Sequence, residues 1–101
     1  TTTRINVFEI LLGVFLRRDR EKQKFSEKVR SFMDSIIILE LDEISCIQSA
    51  KINGDLIKSG KEIESTDCLT AGIMVANGCN TIITKNVNHF KRIKGIKVET
   101  Y

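Results

Sequence analysis

The chain has no apolar run long enough to cross a membrane. Even with glycine counted, the longest, Ile10 to Leu16, falls far short of the roughly 20 residues a span needs. No basic stretch followed by an apolar one marks a secretion signal. No C-x-x-C pair occurs. Cys46, Cys68 and Cys79 are odd in number and isolated, so neither a disulfide framework nor a structural zinc site is supported. The expectation is three reduced thiols in a cytoplasmic protein. A single histidine, His89, beside three isolated thiols gives little support for Cys–His nucleophilic catalysis. There is no G-x-G-x-x-G fingerprint, no internal repeat and no low-complexity segment.

What is present is the composition of one folded domain. The 101 residues are 42% apolar and carry 16 Lys and Arg against 13 Asp and Glu, a formal charge of +3. A chain of this size buries roughly 60–65% of its extended surface, enough to fold with little margin. Mixed charge with normal apolar content argues against disorder.

Apolar spacing divides the chain into elements. Ile5, Phe8, Leu11, Leu12, Phe15 and Leu16 recur in steps of three and four. They predict a helix over 4–18, with Thr3 as its N-cap and Arg17 and Arg18 suiting its C-terminal dipole. After a charged connector over 19–24, Phe25, Val29, Phe32 and Met33 predict a second helix. Ile36 to Leu39 is short, wholly apolar and mostly β-branched, as in strands buried on both faces. A helix over 42–59 follows, capped by Asp42 and stopped by Gly60, with Asn53-Gly54 a point of possible interruption. The next helix spans 66–77 and ends at Asn77-Gly78. Thr81 to Thr84 predicts a second strand of the buried type. A polar loop or short helix covers 86–94. Ile96, Val98 and Thr100 alternate with Lys97 and Glu99, predicting a final edge strand.

Strands separated by helices imply an α/β layer fold with a mostly parallel sheet. Two buried strands and an edge make a thin sheet, so a further central strand is expected upstream of Thr1. The apolar side chains of the first helix pair, Leu12, Phe15, Leu16, Phe25 and Phe32, are compatible with an interface, although core burial explains most of them.

Three polar positions stand out. Taken alone, Glu9 reads as a solvent-facing residue of an amphipathic helix. Asp67 reads as a first-turn acid complementing a helix dipole. Asn86, just past the C-terminal end of a strand, reads as a turn or cap residue. It also lies where active sites of open α/β sheets gather.

Together they carry a resemblance. Thr3-Arg4-Ile5-Asn6-Val7-Phe8-Glu9-Ile10-Leu11-Leu12-Gly13 resembles the E-L-L-x-G helix of PIN-domain nucleases, with Ile10 in place of Leu. Gly60, Ile63, Asp67 and Ala71 match their G-x-x-I-x-x-x-D-x-x-x-A segment. Thr84-Lys85-Asn86-Val87-Asn88-His89-Phe90 resembles their T-x-N-x-x-H/D-F signature. Ile93-Lys94-Gly95-Ile96-Lys97-Val98 resembles the closing I-x-G-L-x-V strand. Four segments stand in the family's order over nearly the whole chain, most like the VapC-type toxins of prokaryotic toxin–antitoxin pairs.

The resemblance implies a single three-layer α/β/α PIN-like domain over 1–101, Rossmann-like, with a mostly parallel central sheet. It implies a divalent-metal-dependent endoribonuclease using Mg2+ or Mn2+, with Glu9 and Asp67 as metal-holding carboxylates and Asn86 as the third catalytic position. Asn6 and Thr84 are expected to support them. The family's first acidic residue, in a D-[TS] motif, has no match in the right place and is expected upstream or lost.

The chemistry needs such groups. Mg2+ takes oxygen ligands, usually one or two carboxylates plus water and phosphate oxygens. It lowers the pKa of water it holds and neutralises charge building on the phosphate. Carboxylates clustered without metal repel each other. Asn86 donates from its amide and is expected to orient water or an acidic partner.

The charge pattern suits RNA. From Lys85 to Lys97 there are five basic residues (Lys85, Lys91, Arg92, Lys94 and Lys97) and no acidic one, leaving −2 for the rest of the chain. Phosphate backbones are held by Lys and Arg, so Lys85, Lys91, Arg92 and Lys94 are the expected RNA contacts. His89 is expected at the surface or behind the metal-holding residues, and Phe90 in the core. From the resemblance come two protein partners, a cognate antitoxin and a second copy in a homodimer, and no membrane. The competing readings are a non-catalytic or decayed PIN-like interaction module and a PIN nuclease of ribosomal-RNA processing. A flavodoxin-like binding domain ranks below these, since no acidic or phosphate-cradling site follows a first strand.

Overall fold

Thr3 turns an extended chain into a helix. Its backbone is extended at φ −107° and ψ 159°, and its hydroxyl accepts from the Asn6 amide, satisfying one of the donors a helix start leaves open. The computed structural model describes residues 1–100; Tyr101, the last residue of the expected domain, lies outside the described residues. Two compact units are distinguished, Thr1–Glu40 and Leu41–Tyr101.

The first unit begins with a short strand, β1 (Thr2–Thr3), followed by α1 (Arg4–Leu16), α2 (Lys22–Asp34) and β2 (Ile38–Leu39). β1 and β2 pair in parallel, Thr2 with Ile38 and Thr3 with Leu39. Val7 and Val14 of α1 and Val29 of α2 are buried. The C-cap Arg17 forks onto Asp19 and lies 4.6 Å above the Phe25 ring, fastening the turn between the helices. Arg4 forks onto Glu40, with Nε 2.9 Å from Oε2, joining the start of α1 to the residue after β2.

The second unit holds α3 (Glu43–Lys58), α4 (Ser65–Ala76), β3 (Thr81–Ile83), α5 (Val87–Phe90) and β4 (Lys97–Glu99). α3 starts in a reciprocal capping box: the Asp42 carboxylate accepts from the Ser45 amide at 2.8 Å, and the Asp42 amide donates to the Ser45 hydroxyl at 2.7 Å. Gly60 and Gly78 follow the two helices at φ +70° and +72°, the left-handed conformation that ends a helix at glycine. Asn53-Gly54 does not interrupt α3, because packing against α4 outweighs the weak helix propensity of both residues. At that packing, α3 and α4 come so close that a Cβ on Gly72 would stand 2.6 Å from the Ser49 amide nitrogen and 2.7 Å from the Ser45 carbonyl oxygen.

β3 and β4 also pair in parallel, Ile82 opposite Val98, and the ladder is extended by Thr84 N–H to the Glu99 carbonyl at 2.9 Å. Leu56, Ile63, Cys68, Ala71, Phe90 and Ile93 form the buried cluster, with Ile82 and Val98 against it. Both strand pairs are parallel and separated by helices, the α/β order the sequence predicts.

Two expectations need correction. The apolar strand segments are not buried on both faces: Ile37 is 66% and Ile83 63% exposed. In β3 only Ile82 meets the core, because successive side chains of a strand point to opposite faces. Nor does core burial account for the apolar side chains of α1 and α2. Phe15 and Leu16 are about two-thirds exposed, and Leu12 and Phe32 about half. Among the described residues, no helix is long and apolar enough to cross a membrane.

Candidate active site

Asp67 is the best-defined member of the site. It lies in the first turn of α4, its own amide donating to the Glu64 carbonyl. Its side chain is only 8% exposed. A buried carboxylate needs a donor, and the donor is His89: Nδ1 stands 2.6 Å from Asp67 Oδ2. With the ring proton on Nδ1, the imidazole donates and the carboxylate accepts, and the His89 side chain is about one-third exposed. Sequence reasoning expected His89 at the surface or behind the metal-holding residues. The contact to Asp67 joins residues 22 positions apart and has no spacing signature.

Asn86 is tied to the same pair through the backbone. It is the N-cap of α5, and its carbonyl accepts from the His89 amide at 3.1 Å. The Asn86 amide nitrogen donates to the Thr84 hydroxyl at 3.0 Å. Thr84 therefore fixes the Asn86 backbone, and the carboxamide makes no side-chain cap bond and stays exposed. The short helix is pinned by Phe90, which is buried as expected.

Burial pushes the Cys68 thiol up from its ordinary range, with the charges of Asp67 and Glu62 adding to the effect. Next to Asp67, this cysteine is a packing residue and not a nucleophile.

In the first unit, Glu9 lies exposed on α1, and Asn6 accepts from the Thr3 hydroxyl at 2.6 Å. Asn6 is thus held by the cap that starts the helix carrying Glu9. Lys85, Lys91, Arg92 and Lys94 are all exposed in the second unit. Arg92 is anchored: its Nη1 donates to the Glu62 carbonyl at 3.0 Å.

Hard oxygen donors suit Mg2+ or Mn2+. Asp67 supplies one oxygen beyond the one held by His89, which fits a site completed by water and phosphate. Within neither unit do the described residues bring together three or more His, Cys, Asp or Glu side chains able to hold a metal. The donor chemistry at Asp67 fits a hard divalent cation held together with water and phosphate oxygens.

Sequence reasoning missed Ser45, Ser49 and Gly72, the close contact that sets α4 against α3. A small residue amid apolar ones at 72 is the only signal, and it is a faint one.

No protein-family model matches the chain. A curated relative, the tRNA(fMet)-specific endonuclease VapC of Salmonella typhimurium, is 27% identical over 97 residues, covering 96% of this chain and 71% of that protein. VapBC2 from Rickettsia felis, crystallised bound to a DNA fragment from its promoter, superposes with a TM-score of 0.84 at 23% identity, over 98% of this chain and 72% of that one. FitAcB from Neisseria gonorrhoeae superposes with a TM-score of 0.78 at 25% identity, over 96% of this chain and 71% of that one.

Proposed function

We propose that this chain, similar to a VapC endonuclease over 96% of its length and sharing the fold of VapBC toxins, is a VapC-like PIN-domain endoribonuclease toxin that hydrolyses RNA phosphodiester bonds with Mg2+ or Mn2+. The reading takes residues 1–101 as a single PIN-like domain. The observation that carries the reading is the buried Asp67 carboxylate oriented by His89 in the first turn of α4, with Asn86 held one hydrogen bond away from His89.

Glu9 and Asp67 are the proposed metal-holding carboxylates. Bound there, a divalent cation supplies a lower pKa for attacking water and neutralises charge on the phosphate in the transition state. The chain's own groups do the rest. The His89 Nδ1–H holds Asp67 Oδ2 and leaves Oδ1 as the oxygen available to a cation. Asn86, its backbone fixed by Thr84, presents a carboxamide that donates to water or phosphate. Lys85, Lys91, Arg92 and Lys94 hold the flanking backbone by charge, and binding weakens as salt rises.

The protein partners proposed are an antitoxin and a second copy of this chain. The VapBC neighbours support the first. The exposed Leu12, Phe15, Leu16 and Phe32 offer apolar surface of the kind that partners cover.

The test is cleavage of a labelled RNA in Mn2+ or Mg2+ by the wild-type chain and by Asp67→Ala. The expected outcome is a loss of at least about 100-fold, in line with removal of an electrostatic catalytic group. Equal cutting by the variant removes Asp67 from the mechanism.

A further inference from the structure

A cavity of about 320 Å3 opens in the second unit between the C-terminal turns of α3, the loop before α4 and the segment after α5. Its floor is apolar, from Leu56 and Ile93, both buried. Its rim carries three cations, Lys61, Arg92 and Lys94, and one acid, Asp55. The volume sits at the low end of the roughly 300–1,000 Å3 of small-molecule sites. That suits one nucleotide and not a folded partner segment.

The cavity is linked to the Asp67 pair through the backbone of Arg92. Arg92 donates its amide to the His89 carbonyl at 3.2 Å, and the His89 ring holds Asp67. Arg92 is also the most constrained of the rim cations. Its Nη1 contacts the carbonyls of Glu62, at 3.0 Å, and Lys61, at 3.5 Å. A guanidinium fastened along one edge keeps a flat face on which an unstacked base can lie.

Asp55 is the odd member, a carboxylate among cations that none of them pairs with among the described residues. Ser59, also on the lining, has its hydroxyl committed to the Asp55 and Leu56 carbonyls. Asp55 is the charged side-chain acceptor among the lining residues. An ionised carboxylate accepts hydrogen bonds and donates none. It pairs with an exocyclic amino group, as on cytosine N4, and opposes the O4 carbonyl of uracil.

We propose that this cavity is a subsite for one unstacked nucleotide of the RNA, favouring a base with an exocyclic amino group accepted by Asp55. Leu56 and Ile93 receive the base, Arg92 stacks on it, and Lys61 and Lys94 hold its phosphates. The proposal rests on the ribonuclease reading above and adds base selection to it.

The experiment is fluorescence anisotropy of the full chain with labelled oligocytidylate and oligouridylate, in chelator so that nothing is cut. Wild type is expected to bind the cytidylate about fivefold or more tightly. Asp55→Ala brings the ratio to about one, with the circular dichroism spectrum unchanged because Asp55 is exposed. Arg92→Lys keeps the charge, loses the flat guanidinium face held at the Glu62 carbonyl, and weakens both oligomers. Replacing Lys61 and Lys94 by Gln weakens both equally and flattens the salt dependence. Equal wild-type affinities, or a ratio that Asp55→Ala leaves untouched, overturn the subsite. So does an oligoglutamate peptide that binds as tightly as the cytidylate, which assigns the cavity to an acidic protein segment. Cleavage in Mn2+ is scored separately. Cutting without base preference sinks the subsite alone, and base preference without cutting sinks the nuclease reading alone.

Discussion

His89 Nδ1 stands 2.6 Å from Asp67 Oδ2, and this contact is what makes a buried carboxylate tolerable at the start of α4. Asp67 is almost fully enclosed and His89 about one-third exposed. The imidazole therefore bridges an enclosed carboxylate to the partly exposed side of the pair.

Removing the imidazole leaves Asp67 without its donor. A hydrogen bond to a charged group contributes about 1.5–3 kcal/mol. A double-mutant cycle of Asp67→Ala and His89→Ala in urea is expected to return a coupling of that size. A coupling near zero shows that the contact does not form in solution. His89→Ala is also expected to reduce RNA cleavage by less than the roughly 100-fold or greater loss expected for Asp67→Ala.

Gly72→Ala sets two effects against each other. Alanine favours a helix over glycine by about 1 kcal/mol. Here its Cβ meets the Ser49 amide nitrogen and the Ser45 carbonyl oxygen, backbone atoms that move only if α3 moves. Overpacking of this kind costs about 1–3 kcal/mol or more, so a net loss in urea stability is expected. Ser49→Gly in the same background recovers little, because the backbone contacts remain. Gly54→Ala has open space around its Cβ and is expected to stabilise the chain, which gives a matched control.

The thiols are expected to react in the order of their surroundings. Cys46 is exposed, Cys79 half-buried and Cys68 buried with its thiol pushed up by burial. Alkylation of the native chain followed by mass spectrometry modifies Cys46 first and Cys68 last. Early labelling of Cys68 means that the cluster around Leu56 and Phe90 opens readily.

The Asp42 cap supplies an acid limb. Accepting the Ser45 amide holds its carboxyl below the usual value of 3.8. A folded-state pKa lowered in this way stabilises above the unfolded value, and the contribution fades as pH falls through the folded one. Asp42→Ala therefore lowers the melting temperature near neutral pH, and the gap to wild type narrows below about pH 3.8. Asp42→Asn, which keeps a cap, shows a smaller gap at neutral pH. A gap that is constant down to pH 2 removes the carboxylate from the cap.

Much of the local structure was legible in the residues themselves, because it depends on near neighbours. Thr3 and Asp42 cap helices by reaching three residues along the chain. Gly60 and Gly78 end helices by adopting a left-handed backbone. The apolar rhythm of Phe25, Val29 and Phe32 marks α2 whatever surrounds it. These are short-range steric and hydrogen-bonding rules, and the order of elements follows from them. The segments around Glu9, Asp67 and Asn86 carry their resemblance in the same way, as ordered motifs.

Tertiary structure decided what the residues meet. Ile82 and Ile83 are equally apolar, yet only Ile82 reaches the core, since the pleat turns them to opposite faces. Asp67 and His89 are 22 residues apart, and only the folding of α4 against α5 makes them a pair. Asp55, Lys61 and Arg92 look like scattered surface charges in the sequence and become one cavity rim in three dimensions. Pairings across such separations depend on how whole elements pack, which no local rule of spacing contains.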